Sequence, residues 1–228
     1  RKRGCGAMTT MPHATDADPR AQAQAEIRAV REQMGALDQA GLDLILTKAR
    51  SHYAWRDHPV TEEQIRRLYD LTRQGATSMN CSPARFVFVR TQEGKQKLVP
   101  ALKAKNIEKV LSAPVTVIIA EDLKFWERLD YLFPQEDRKP LFRGKVAYIE
   151  ETAARNATLQ GGYMMIAVRA MGLDCGPMSG FDNAIVDQAF FAGTTLRSNF
   201  LLNIGYADET AIFPKLPRLS FEEACSFL

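Results

Sequence analysis

Between two helical patterns the chain reads GLDCGPMSGFDNA, residues 172–184. Glycine adopts backbone conformations closed to other residues and lets a chain pass close to a flat neighbour. Gly172, Gly176 and Gly180, with Pro177 and the lone Ser179 among them, suit a backbone laid against a ligand. A tight turn between helix and strand is the plainer alternative. Three other stretches offer donors for an anion. Arg50-Ser51-His52 gives a cation, a hydroxyl and a ring, Thr77-Ser78-Met79-Asn80 gives hydroxyls and an amide, and Lys215 and Arg218 lie in a tail punctuated by proline. Singly each reads as solvated surface; together they suit a phosphate, which takes several donors of mixed type. Covalent chemistry has less behind it. Cys81 is a small loop residue, and pairing it with His52 or His58 requires a contact that spacing does not show. No nucleophile elbow, HExxH or CxxC occurs.

Composition narrows the classes. The chain has 228 residues, 46% apolar and 25% charged, enough for one good-sized domain. Thirty basic against 27 acidic residues, net +3, gives no basic excess of the kind nucleic-acid binding shows. No apolar run is long enough for a bilayer and no secretory pattern opens the chain, so neither a membrane nor a nucleic-acid partner is expected. Cys5, Cys81, Cys175 and Cys225 are scattered, which suits free thiols in a reducing, cytoplasmic compartment, and no metal is expected. Residues 1–35 read as a tail, disordered or partly vector-derived ahead of Met8, with a short helix possible over 20–35. Residues 36–228 read as a single domain.

Periodicity supplies the supporting elements. Helices are predicted over Asp38–Ala49, from the capping box Thr61-x-x-Gln64 to Gly75, over Glu93–Leu111, over Ile149–Met171 and over Asn183–Phe191. The alternation in RFVFVR predicts a buried strand, and the apolar run 115–120 a central one. LDCGP opens a third strand or turn, and 198–206 reads as a strand. Residues 122–148 mix aromatics and charges and predict a short helix within a mobile region. Helices interspersed with few strands, without a βαβ repeat or GxGxxG, indicate an α+β fold.

At this level of detail the chain resembles a known family, the flavin-dependent nitroreductases, over about residues 40–228. The helix-ending Arg50-Ser51 resembles the family's N-terminal phosphate motif. ATSMNCSPARF resembles its P-S-S-x-N-x-Q-P-W segment. Asn106-x-x-Lys109 matches its N-x-x-K element, GLDCGPMSGFDNAIVD its G-L-x-x-x-P-x-x-G-F-D element, and Lys215-Leu216-Pro217-Arg218 its closing basic pair. NCSPARFVFV, LDCGPMSGFDNA and PRLSFEEAC resemble the subgroup that reduces malonic semialdehyde in pyrimidine degradation.

The resemblance implies a central, mostly antiparallel sheet flanked by helices, with the C-terminal tail packing on the partner subunit of a homodimer. It implies FMN at that interface and ping-pong hydride transfer from NADH or NADPH to a small aldehyde, nitro or quinone substrate. A general nitroaromatic or quinone reductase and a non-catalytic flavin-binding protein are the competing expectations. By resemblance Arg50, Lys215 and Arg218 hold the FMN phosphate, with Ser51 and His52 nearby. Asn106 and Lys109 face the pyrimidine end of the ring, where a cation stabilises charge gained on reduction. Pro177, Met178, Ser179 and Gly180 place backbone beside N5, with Pro177 fixing the turn. Ala76, Thr77, Ser78 and Asn80 come from the second subunit. The chain departs from the family in three places: Ser179 stands where many relatives carry Glu, Ser82-Pro83-Ala84 replaces Q-P-W, and Tyr53 replaces a common cation. A tighter, more basic pocket suits a small anionic aldehyde, with Arg85 or Arg143 as candidates for its carboxylate.

Overall fold

A computed structural model describes residues 18–33 and 35–228. Cys5, His13 and the stretch before Met8 lie outside the described residues. The chain divides into two units, Arg1–Ala40 and Gly41–Leu228. In the first, α1 (Pro19–Gln33) is a helix without a buried residue.

The second unit is built on four antiparallel strands: β1 (Ala84–Val89), β2 (Val115–Asp122), β3 (Asp174–Met178) and β4 (Leu196–Gly205), in the order β1-β2-β4-β3. Side chains of a strand alternate between faces, and β2 feeds a separate core on each side. Val115, Val117 and Ile119 join one core with Leu68, Met164 and Val168, which come from α3 (Glu62–Thr72) and α7 (Val146–Ala170). Ile118 and Ala120 join a second core with Leu98, Val110 and Val186, from α4 (Gln92–Leu98), α5 (Ala104–Ser112) and α8 (Asn183–Phe190). The sheet is thus covered on both faces, as an α+β layer fold requires.

Several expectations need correction. Glu93–Leu111 is not one helix. Pro100 lacks an N–H and cannot continue an α-helix, so α4 passes into a 3₁₀ turn at Val99–Ala101 and α5 starts afresh at Ala104. The helix expected over Asp38–Ala49 is shorter. It consists of α2 (Gln39–Leu42) and a wide turn at Asp43–Thr47 closed by Lys48 N–H on the Asp43 carbonyl. The strand read as buried, β1, is an edge strand with half-buried Arg85–Phe88. Pro177 fixes no turn. It lies within β3, the opposite edge, where a missing N–H is tolerated. The 122–148 segment, read as mobile, contains the short α6 (Leu129–Leu132) and is pinned by Phe125, Leu129 and Phe142, all fully buried, with the two phenylalanines edge to face at 5.1 Å. The capping box at Thr61 is formed in both directions.

Candidate functional site

The glycines of 172–184 serve three different needs. Gly172 ends α7 with φ +72°, so that the Leu173 N–H reaches the Val168 carbonyl at 3.1 Å. Gly176 lies against the backbone carbonyl of His52; a Cβ there would collide with it. Gly180 leaves room for the Asn106 amide. Close approach at Gly176 and Gly180 is therefore first to the protein's own chain.

That approach builds one cavity. The Gly180 carbonyl accepts from the Lys103 N–H and from Asn106 Nδ2, both at 3.0 Å, which ties the end of β3 to the start of α5. Lys109 Nζ donates to Asn106 Oδ1 at 3.2 Å and sits 4.4 Å over the Tyr53 ring. The last turn of α5 is held by Asn203, a fully buried residue of β4. It donates to the Lys109 carbonyl at 2.8 Å and accepts from Thr116 Oγ1 at 2.7 Å. Asn106, Lys109, Pro177, Met178, Ser179 and Gly180 thus line a single cavity of about 330 Å³ with Tyr53, Lys103, Lys105 and Gly176. Burial, then the nearby Lys105, pushes the Lys109 ammonium below its usual range.

Tyr53 also lines a second cavity, of about 550 Å³, with Ala49, Arg50, Ser51, Arg169, Lys215 and Arg218. No carboxylate of the described residues lines it. Its cations bond carbonyls instead: Arg50 those of Lys48 and Ala49 at 2.8 and 3.3 Å, Arg218 those of Leu216 and Pro217 at 2.9 and 3.1 Å, and Lys215 those of Leu46 and Thr47. Carbonyl partners orient a cation without neutralising it. The sequence reading missed Arg169. It projects from the end of α7, donates to the Ile45 carbonyl at 3.0 Å and leaves its Nε buried without a partner. An arginine in the last turn of α7, after the apolar run Met164–Val168, was the available signal.

Other candidates go elsewhere. His52 lines neither cavity; its Nε2 lies 3.2 Å from Asp174, whose carboxylate also accepts from the Ala207 N–H at 3.0 Å. Burial pushes Asp174 up, but the His52 hydrogen bond, the Ala207 N–H and nearby Arg56 outweigh it and hold it below the carboxylate range. Ala76, Thr77, Ser78 and Asn80 form a loop held from behind. Tyr163 donates to the Ala76 carbonyl at 2.8 Å, the Ser78 N–H reaches Asn156 at 2.8 Å, and Asn80 reaches the Leu132 carbonyl at 2.9 Å. None of these four lines either cavity of this chain. Arg85 is occupied by Asp122 at 2.7 Å and by the carbonyls of Ser82 and Ala84. Arg143 is exposed and lines neither cavity. Cys81 is fully buried, which pushes its thiol up to about 11, and the two candidate partners are placed elsewhere, His52 beside Asp174 and His58 edge-on against Tyr206, an arrangement that does not suit a thiolate nucleophile.

A larger hollow of about 1180 Å³ lies at one end of the sheet, lined by Val87–Thr91, Leu111–Pro114 and the 55–60 loop. Its buried cation, Lys95, is used by the Leu111 and Ala113 carbonyls. No group of three metal-ligating side chains occurs among the described residues, and none of their helices is long and apolar enough to cross a membrane.

A model of the nitroreductase family matches residues 46–206. The chain belongs to the nitroreductase family. Solved structures of similar fold include a nitroreductase family protein from Streptococcus pneumoniae TIGR4, 22% identical with a TM-score of 0.72, covering 82% of this chain and 99% of that one. A protein of Exiguobacterium sibiricum 255-15, described as a nitroreductase and solved in complex with FMN, is 21% identical with a TM-score of 0.74, covering 86% and 99%. A protein of Staphylococcus epidermidis ATCC 12228 described as an NAD(P)H:FMN oxidoreductase is 18% identical with a TM-score of 0.75, covering 86% and 100%. At these identities the likeness is one of fold. Both cavities draw on the matched nitroreductase region, the second completed by Lys215 and Arg218 beyond it.

Proposed function

We propose that this chain is an FMN-dependent NAD(P)H oxidoreductase that works as a homodimer, with residues 36–228 as its single FMN-binding domain, and that it reduces malonic semialdehyde to 3-hydroxypropanoate in pyrimidine degradation. The observation that carries the flavin assignment is the pair of cavities meeting at Tyr53, neither lined by a carboxylate among the described residues, one with four cations and one with Asn106 and Lys109. The residues fit the group. Arg50, Lys215, Arg218 and Arg169 supply charge-assisted donors suited to a phosphate. FMN, when bound, supplies two-electron hydride chemistry. Around it Asn106 orients the Lys109 ammonium, and Lys109 stabilises negative charge that develops at the ring. The half-buried Pro177 and Met178 limit water on one side, and solvent at the exposed Ser179 rim gives the product alkoxide its proton.

Ala76, Thr77, Ser78 and Asn80 line neither of the two cavities in their own chain, which suits a role toward a second subunit. The tail adds to this: Phe213, Leu216, Leu219 and Phe227 are all exposed apolar side chains. A second copy's tail would cover such a surface. The small polar mouth at Ser179 favours a small substrate over a nitroaromatic. The test is steady-state turnover of malonic semialdehyde against a nitroaromatic and a quinone with one NADH supply. Higher kcat/KM for the aldehyde with parallel-line kinetics supports the assignment. Higher kcat/KM for the nitro compound or quinone makes the chain a general reductase, and consumption of NADH no faster than with free flavin makes it a binding protein.

A further inference from the structure

Among the described residues three lysines line the ring-end cavity, and no carboxylate does. Lys109 is engaged by Asn106 and Tyr53. Lys103 and Lys105 are exposed at the rim, and among the described residues the lysine ammonium contacts are made by other lysines. Their positions do not serve the helix. Lys103 is the N-cap of α5 without a side-chain cap, and Lys105 is in its first turn. Lysine at the positive end of a helix dipole is unfavourable by roughly 0.3–1 kcal/mol, where Asp or Glu would be favourable. Lys105 also presses on Lys109 by like charge, a repulsion that an anion in the cavity would relieve.

We propose that Lys103 and Lys105 form a carboxylate-recognition subsite at the rim of the ring-end cavity, selecting substrates that carry a carboxylate a few bonds from the reducible carbon. This rests on the proposed reduction of a small acid-aldehyde at that cavity. It replaces Arg85, which Asp122 occupies, and Arg143, which lines neither cavity. A phosphate of the reductant carries the same kind of charge, so the test separates the two sources.

The FMN-loaded protein and its Lys103→Met, Lys105→Met and double variants are assayed with malonic semialdehyde and with propanal, and the KM for NADH and for NADPH is measured alongside. Malonate, an unreactive dicarboxylate, is titrated by calorimetry as a probe independent of turnover. Expected is a fall in the acid-to-neutral kcat/KM ratio of about fivefold with either lysine replaced and more than tenfold with both, in keeping with solvent-exposed ion pairs. Malonate binding weakens in step and is salt-sensitive, and Lys105→Arg retains it. An unchanged ratio with unchanged malonate binding overturns the subsite. So does a loss confined to the KM for NADPH, which would make the lysines a phosphate contact. A wild type that takes up no FMN fails the functional assignment instead, and the malonate titration still decides the subsite.

Discussion

The two cavities that meet at Tyr53 are built in opposite ways. At the ring end the inner polar groups are tied through the interior: Asn106 to the Gly180 carbonyl, Lys109 to Asn106, and the Lys109 carbonyl to Asn203 in the centre of the sheet, with Lys103 and Lys105 left exposed at the rim. At the cationic end Arg50 and Arg218 bond only carbonyls one or two residues away, and Lys215 holds an exposed tail against Leu46 and Thr47. The first cavity is a product of the fold; the second depends on chain segments with little burial. A rigid ring end orients, while a cationic end with no carboxylate keeps its charge available for an anion.

The contrast can be broken most severely at Gly176. Gly176→Ala drives a Cβ into the His52 carbonyl, and neither backbone can yield because the His52 N–H is bonded to the Cys175 carbonyl at 3.1 Å. A loss of about 2–3 kcal/mol is expected in urea unfolding; an unchanged midpoint would show that this edge is not rigid. Asn203→Ala comes next. It strips Thr116 of its acceptor and the Lys109 carbonyl of its donor, costing about 2 kcal/mol and weakening flavin binding at the ring end. Arg169→Met should act on the other cavity alone, with FMN affinity falling about tenfold while the urea midpoint moves by less than about 1 kcal/mol. Equal stability losses from Asn203→Ala and Arg169→Met would erase the distinction between the two ends.

The smallest effect is expected outside both. Burial raises the Glu121 carboxyl above its usual range against the Asn199 hydrogen bond. The folded state then holds more protons than the unfolded chain between the two pKa values, so stability falls as pH rises through that window. Glu121→Gln should match the wild type below about pH 4 and exceed it by about 1 kcal/mol or less at neutral pH. Thermal melts across pH check this, and a variant less stable at neutral pH contradicts it.

Much of the ring end is legible in the sequence because its determinants are local: a glycine turn, an N-x-x-K spacing, and apolar alternation that fixes which way each strand faces. The cationic end is less so. Arg169 comes from the far end of the long α7, and only the packing of α7 against the Asp43–Thr47 turn brings it to Arg50. His52 follows the expected Arg50-Ser51, yet the extended backbone there turns it to Asp174. One helix over Glu93–Leu111 ignored Pro100, and the break matters, because it creates the new helix start that carries Lys103, Lys105 and Asn106.

Whether the two cavities together hold FMN is decided by titrating FMN into the cofactor-stripped protein and following visible absorption, with and without inorganic phosphate. Saturable uptake of one FMN per chain is expected, with a perturbed flavin spectrum and weakening by phosphate as the cationic end is contested. A protein that stays colourless and leaves the spectrum of free FMN unchanged would contradict the assignment.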